Sequence, residues 1–217
     1  MPRVKVKICG LQEERHMRAA AEAGADYVGM VFAPSRRRVT PEQAEHLRKS
    51  LDEFETRPAV VGVFVNEAAA VVNALAARCR LDFVQLSGDE DSDYCERMTR
   101  PVIKSLRVYP ATTTPDIERQ MATISRGGVI QSISFLLDTG DVGLRGGTGR
   151  SFDWRVASEI SALRPVMVAG GLDAVTVRSL VREVRPFGVD VSSGVERDGG
   201  KDATLIRAFV DAVREAE

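Results

Sequence analysis

Apolar and polar positions alternate with period two at the start of the chain. In "VKVKIC", Val4, Val6 and Ile8 alternate with Lys5, Lys7 and Cys9, so one face is apolar and the other carries two lysines and a thiol. Seven more short runs rich in β-branched residues follow: "YVGMVF", "AVVGVFV", "FVQLS", "VIKSLRV", "SFLLDT", "VMVAGG" and "GVDVSSG". Amphipathic stretches rich in Ala, Glu and Arg separate them, beginning with "LQEERHMRAAAEAG" and "TPEQAEHLRKSL". Gly24 closes the first as a C-cap; Thr40 and Pro41 open the second as N-cap and first helical residue. The other helix candidates are "EAAAVVNALAARC", "EDSDYCERMT", "TPDIERQMATIS", "FDWRVASEISAL", "DAVTVRSLVREV" and "DATLIRAFVDAV". Eight strand–helix units of roughly 25–30 residues each predict an α/β architecture: a single-domain (β/α)8 TIM barrel over residues 1–217. An open doubly wound sheet is the alternative. It rarely needs eight regular units, and no GxGxxG follows the first strand.

In a closed barrel one strand face meets the helices and the other meets the lumen. Val4, Val6 and Ile8 belong against helices; Lys5, Lys7 and Cys9 point inward, with Cys9 at the C-terminal rim where barrel enzymes place their chemistry. A lysine in the lumen needs an opposite charge. Strand eight, adjacent to strand one on closure, offers Asp190 in "VDVSS".

Composition narrows the function classes. Hydrophobic content of 44% and charged content of 28% suit a globular protein, and a net charge of −1 gives no electrostatic case for nucleic acid or an anionic membrane. No apolar run is long enough to span a bilayer, and the N-terminus opens almost at once on a strand, so a cytoplasmic location is expected. The three cysteines, Cys9, Cys79 and Cys95, lack metal-ligand spacing, so neither a metal nor a disulfide framework is expected. His16 and His46 lie in charged helical segments and read as solvated.

Candidate chemistry gathers at the strand ends. Cys9 ends strand one, and lysines beside it would lower its pKa toward a thiolate base. After strand two comes "APSRRRVT", where at least one arginine should face the mouth and fork onto a carboxylate. Strand four supplies Gln85 and Ser87. Strand six ends in Asp138, the acidic end of an otherwise apolar run; a buried carboxyl there would have a raised pKa and serve as a general acid. Gly170 and Gly171 follow strand seven, and Ser193 and Gly194 follow strand eight. Either turn alone reads as a tight βα connection. Together they stand where barrels commonly bind phosphate.

These motifs resemble phosphoribosylanthranilate isomerase over nearly the whole chain. The resemblance rests on "KICG", "GADYVGMVFAPSRRRVTPEQA", "VGVFVN", "VQLSGDE", "LLDT", "GGTGRSFDW", "AGGL" and "GVDVSSGVERDGGKD", in order and at fitting spacing. It implies a cofactor-free Amadori rearrangement of N-(5-phosphoribosyl)anthranilate to 1-(2-carboxyphenylamino)-1-deoxyribulose 5-phosphate. By that resemblance Asp138 is the general acid that opens the furanose ring to a Schiff base. Cys9 is the base that removes the C2′ proton. Arg37 holds the anthranilate carboxylate, Gln85 and Ser87 line the substrate, and Gly170, Gly171, Ser193 and Gly194 hold the phosphate. The implied partner is this small molecule, with no nucleic acid or membrane, in a monomer or homodimer.

Two departures stand out. Ser87 occupies the histidine position of the usual "QLHG", and Arg36 stands where proline is usual, in a loop one residue shorter. A loop arginine, or a water, is expected to make up the reach that serine lacks. A related aminoaldose isomerase carries aspartate on strand one, and indoleglycerol phosphate synthase needs a lysine and glutamate set not found here. A non-catalytic barrel binding a sugar phosphate would be expected to lose the Cys9 and Asp138 pair.

Overall fold

The computed structural model describes residues 3–125, 133–139 and 154–217. Eight parallel strands close into a barrel in chain order: β1 (Lys5–Cys9), β2 (Tyr27–Val31), β3 (Ala59–Phe64), β4 (Phe83–Leu86), β5 (Val102–Val108), β6 (Ile133–Thr139), β7 (Val166–Ala169) and β8 (Gly188–Val191). Helices follow in alternation: α1 (Glu14–Glu22), α2 (Pro41–Lys49), α3 (Ala69–Arg78), α4 (Ser92–Glu96), α5 (Thr114–Ile124), α6 (Arg155–Leu163), α7 (Thr176–Val184) and α8 (Ala203–Ala216). The expected barrel and its eight units are present, and the open-sheet alternative is excluded by the pairing of β1 with β8.

Local chemistry sets the helix ends. Thr40 caps α2 in a capping box, accepting from Gln43 N at 3.2 Å while Gln43 Oε1 accepts from Thr40 N at 2.8 Å. Asp202 accepts from Thr204 N and Leu205 N at the start of α8. Gly24 follows the end of α1 with φ +79°, the left-handed conformation that lets the chain turn into β2.

Two apolar layers hold the barrel. Val6, Ile8, Val28, Val84, Leu137, Val168 and Val189 lie in the large core between strands and helices. Val61, Ile103, Leu136, Met167 and Ala169 form a separate cluster inside the lumen, joined by Tyr27 and Phe83, whose rings meet edge-on at 5.6 Å. The strand faces are therefore fixed by period-two alternation between two dry environments.

Two expectations need correction. His16 is buried, because it shares the inward face of α1 with Met17, Ala19 and Ala20; burial lowers its pKa. Lys5 does not reach across to strand eight. It lies at the N-terminal end of the barrel, part-exposed, and pairs with Asp26 at 2.8 Å.

Candidate active site

On β1 the packing of Val6 and Ile8 under the helices turns Lys7 and Cys9 into the lumen. Lys7 Nζ donates to Asp190 Oδ1 at 2.9 Å, and the lysine side chain is wholly buried. The two residues are direct register partners across the β1–β8 closure. Burial opposes the charge on Lys7, but Asp190 and Cys9 raise its pKa to about 12, so it is a fixed cation at neutral pH.

Cys9 is buried at the C-terminal end of β1, opposite Gly29 of β2. A Cβ at Gly29 would lie 2.8 Å from Cys9 Sγ and 3.3 Å from Lys7 Nζ. Glycine there gives the thiol and the ammonium their space. The lysines do not leave Cys9 more acidic than a free thiol, as its sequence neighbours suggest. Burial pushes the thiol up; Lys7 and Lys201 pull it down without reversing the shift, and Asp190 pushes it up further.

Asp138, the penultimate residue of β6, is on the lumen face, since Phe135 and Leu137 are in the outer core and Leu136 is in the inner one. It is half-buried rather than buried. Its register partners are Arg107 on β5 and Ala169 on β7, and Ala169 in turn pairs with Asp190. One small methyl-bearing residue thus separates Asp138 from the Lys7–Asp190 pair around the barrel. Arg107 is a rim residue that sequence reading missed; a hydrogen bond to Tyr109 is the main influence raising its pKa, and Asp138 contributes.

Among the loop arginines, Arg37 lies against the end of β1. A Cβ at Gly10 would fall 2.5 Å from Arg37 Cδ, so the arginine stem packs directly over the backbone that follows Cys9. Arg37 forks onto Glu196, with Nε to Oε1 at 2.6 Å and Nη2 to Oε2 at 3.1 Å. Arg36 is more exposed and donates to Gly199 O at 2.8 Å as well as to Glu196 Oε2.

Glu196 belongs to a small hairpin that was not expected: β9 (Glu196–Arg197) pairs antiparallel with β10 (Gly200–Lys201). Asp198 and Gly199 form its two-residue turn with φ of 52° and 84°. The signal was the "DG" dipeptide in "VERDGGKD", which favours such a turn. Lys201 Nζ, also from this hairpin, donates to Glu196 Oε1 at 2.9 Å and to Ser192 O at 2.8 Å, and Ser192 Oγ donates to Cys9 O at 3.2 Å. Burial is the largest influence on Glu196 and opposes its charge, but Arg37 and Lys201 override it and lower the pKa to about 2.

Gln85 is buried on the lumen face of β4 and donates through Nε2 to Ser87 Oγ at 3.1 Å. Its Oε1 has no hydrogen-bond partner among the described residues. Of the two expectations at Ser87, a water or a loop arginine, the second is not met by Arg36 or Arg37, which are both drawn to Glu196; the Gln85 amide donates to the serine hydroxyl. The loop after Ser87 is anchored from below by a buried ion pair, Lys104 Nζ to Glu90 Oε2 at 2.7 Å, with Glu90 accepting from Gly88 N and Asn66 N.

The turns after β7 and β8 touch. A Cβ at Gly194 would lie 1.8 Å from Leu172 O, so glycine is required where the second turn rests on the first. Gly170 and Gly171 have φ of 102° and 62°, and a Cβ at Gly171 would meet nothing within 4 Å. Gly171 therefore faces open space, and Ser193 is exposed at the start of a short 3-10 turn.

The family described as N-(5′-phosphoribosyl)anthranilate (PRA) isomerase matches residues 6–212. The chain belongs to the phosphoribosylanthranilate isomerase family. A relative from Dehalococcoides mccartyi, called N-(5′-phosphoribosyl)anthranilate isomerase, is 43% identical over 99% of this chain and 97% of its own length. A solved phosphoribosylanthranilate isomerase from Thermotoga maritima is 36% identical, covers 98% of this chain and 99% of its own, and superposes with a TM-score of 0.83. Another solved family member, 34% identical over 98% of this chain and 99% of its own with a TM-score of 0.80, carries reduced 1-(o-carboxyphenylamino)-1-deoxyribulose 5-phosphate. Of the stretches that resemble phosphoribosylanthranilate isomerases, "GGTGRSFDW" lies outside the described residues up to Asp153; Trp154 begins the described segment that leads into α6.

Proposed function

We propose that the chain catalyses the Amadori rearrangement of N-(5-phosphoribosyl)anthranilate in tryptophan biosynthesis, with Asp138 as general acid and Cys9 as general base. The observation that carries this reading is the placement of Cys9. It ends β1 on the lumen face beside a fixed buried cation, and the residue after it, Gly10, packs against the stem of Arg37. Asp138 opens onto the same lumen from β6.

In this reading Arg37 takes the anthranilate carboxylate, and the phosphate lies over the touching turns at Gly170, Gly171, Ser193 and Gly194, held mainly by backbone N–H groups. The sugar then spans the mouth between them. Asp138 donates a proton to the ring oxygen as the C1′–O bond breaks, leaving a protonated imine at C1′. That positive charge acidifies the C2′ proton, and it also favours the ionised form of a neighbouring thiol. Cys9 removes the C2′ proton, and the resulting enolamine gains a proton at C1′ and loses its C2′ hydroxyl proton to solvent as it becomes the ketone. The acid must start protonated and the base must ionise; burial of Cys9 opposes its ionisation, so the positive charges of Lys7 and of the imine are what favour the thiolate. Buried Gln85 offers an unpaired carbonyl to a substrate N–H or O–H, and Ser87 lies beside it.

No step calls for a metal or organic cofactor, and no cluster of metal-ligating residues occurs among the described residues. No helix among the described residues is long and apolar enough to cross a membrane. We place the enzyme in the cytoplasm, acting on a small molecule rather than nucleic acid, as a monomer or homodimer within one domain of residues 1–217. The test is direct: purified protein mixed with N-(5-phosphoribosyl)anthranilate should quench the anthranilate fluorescence with saturable kinetics. Fluorescence that decays no faster than without protein would end the proposal.

A further inference from the structure

We infer that Glu196, on the β9–β10 hairpin, is the positioning residue that sets Arg37 for recognition of the aryl carboxylate. The inference rests on the proposed role of Arg37, and adds the device that aims it. A guanidinium has five N–H donors in a rigid plane. Glu196 engages the side edge of that plane through Nε and Nη2, leaving the Nη1/Nη2 edge able to fork onto a second carboxylate.

Three observations make Glu196 a clamp rather than a surface partner. Its side chain is 7% exposed although the residue sits on a two-residue strand. Its Oε1 is shared between Arg37 and Lys201, and Lys201 is itself buried and tied to Ser192 O and Oγ. Ser192 in turn donates to the carbonyl of Cys9. The carboxylate of Glu196 thus joins the substrate-recognising loop after β2, the hairpin after β8 and the end of the catalytic strand in one chain of contacts. Above Gly10, Arg37 is held from two sides, by backbone below its stem and by Glu196 along its plane. An arginine so fixed loses little further freedom when a ligand carboxylate arrives.

The sign of the expected effect separates positioning from simple charge. Removing a negative charge next to Arg37 should strengthen binding of an anion if electrostatics alone mattered. Positioning predicts the reverse. Isothermal titration of wild type, Glu196→Gln, Arg37→Ala and the double variant would use anthranilate and inorganic phosphate as separate probes. Glu196→Gln should weaken anthranilate roughly tenfold or more, the scale of one charge-assisted hydrogen bond, and leave phosphate unchanged. In the Arg37→Ala background it should have no further effect on anthranilate. With N-(5-phosphoribosyl)anthranilate, KM should rise more than kcat falls. Should Glu196→Gln fail to fold, Glu196→Asp, which keeps the charge and shortens the reach, gives the same split.

Tighter or unchanged anthranilate binding in Glu196→Gln, with Arg37→Ala still impaired, overturns the inference and leaves the role of Arg37 standing. Equal weakening of both probes, or an additive double variant, also overturns it, since either marks a general loss of structure. Wild-type anthranilate binding in Arg37→Ala removes the role of Arg37 and the inference with it.

Discussion

Lys7 and Asp190 face each other across the seam where the barrel closes, Nζ to Oδ1 at 2.9 Å, on register-paired positions of β1 and β8. The pair joins the first strand to the last and places a permanent positive charge one lumen position below Cys9. Asp190→Asn removes the counter-charge from a wholly buried ammonium. Urea unfolding should show a loss of about 3–5 kcal/mol, the scale for breaking one side of a buried pair. Lys7→Met with Asp190→Leu should lose less, because no charge is then left alone. Equal stability of wild type and Asp190→Asn would show that the pair does not hold the seam.

The fold was legible from the chain because two periodicities interlock. "VKVKIC" alternates with period two, "SFLLDT" is a short apolar run closed by a carboxylate, and capped helical stretches separate the strands. The pairing of a lumen lysine with Asp190 followed from closure alone. The burial of His16 did not, because it depends on how α1 packs against α8, and a charged neighbourhood in sequence hides an inward face in space. The same limit applies to Glu196. Its partners Arg37 and Lys201 lie 159 and five residues away, and only closure of the barrel brings the first of them near. The thiol of Cys9 was misjudged for a different reason: sequence displays the lysine but not the depth of burial that outweighs it.

Alkylation of Cys9 reads that balance. Burial raises the thiol pKa from its ordinary value of 9.0, so the iodoacetamide rate at Cys9 in the free enzyme should rise with pH along a limb above that value. Lys7→Met removes the strongest influence in the lowering direction and should move the limb higher still. Mass spectrometry of the Cys9 peptide separates this thiol from Cys79 and Cys95. A limb below that of a free thiol would contradict the burial account.

Glu196 also couples stability to acid. Its folded pKa of about 2 lies below the ordinary 4.5, so its contribution is complete above the unfolded value and is lost as pH falls from about 4.5 toward 2. Glu196→Gln should be less stable than wild type at pH 7, and the gap should close as pH falls through that window. A gap that stays constant with pH would assign the loss to packing instead.

Gly171 and Gly194 test the phosphate site in different ways. Alanine at Gly194 would place its Cβ 1.8 Å from Leu172 O, so that variant should unfold readily and says nothing about phosphate. Alanine at Gly171 meets open space and carries only the cost of a left-handed φ, about 1–2 kcal/mol. Gly171→Ala should remain folded yet raise KM and the inhibition constant of inorganic phosphate together. Unchanged constants would move the phosphate elsewhere.

The most direct test of the acid–base assignment is steady-state kinetics of Cys9→Ala and Asp138→Ala with N-(5-phosphoribosyl)anthranilate, followed by loss of substrate fluorescence. Each substitution should lower kcat by on the order of 10²-fold or more, the scale of a proton-transfer contribution, while KM changes little. If either variant keeps the wild-type kcat and only KM moves, that residue binds substrate without transferring a proton, and the assignment fails.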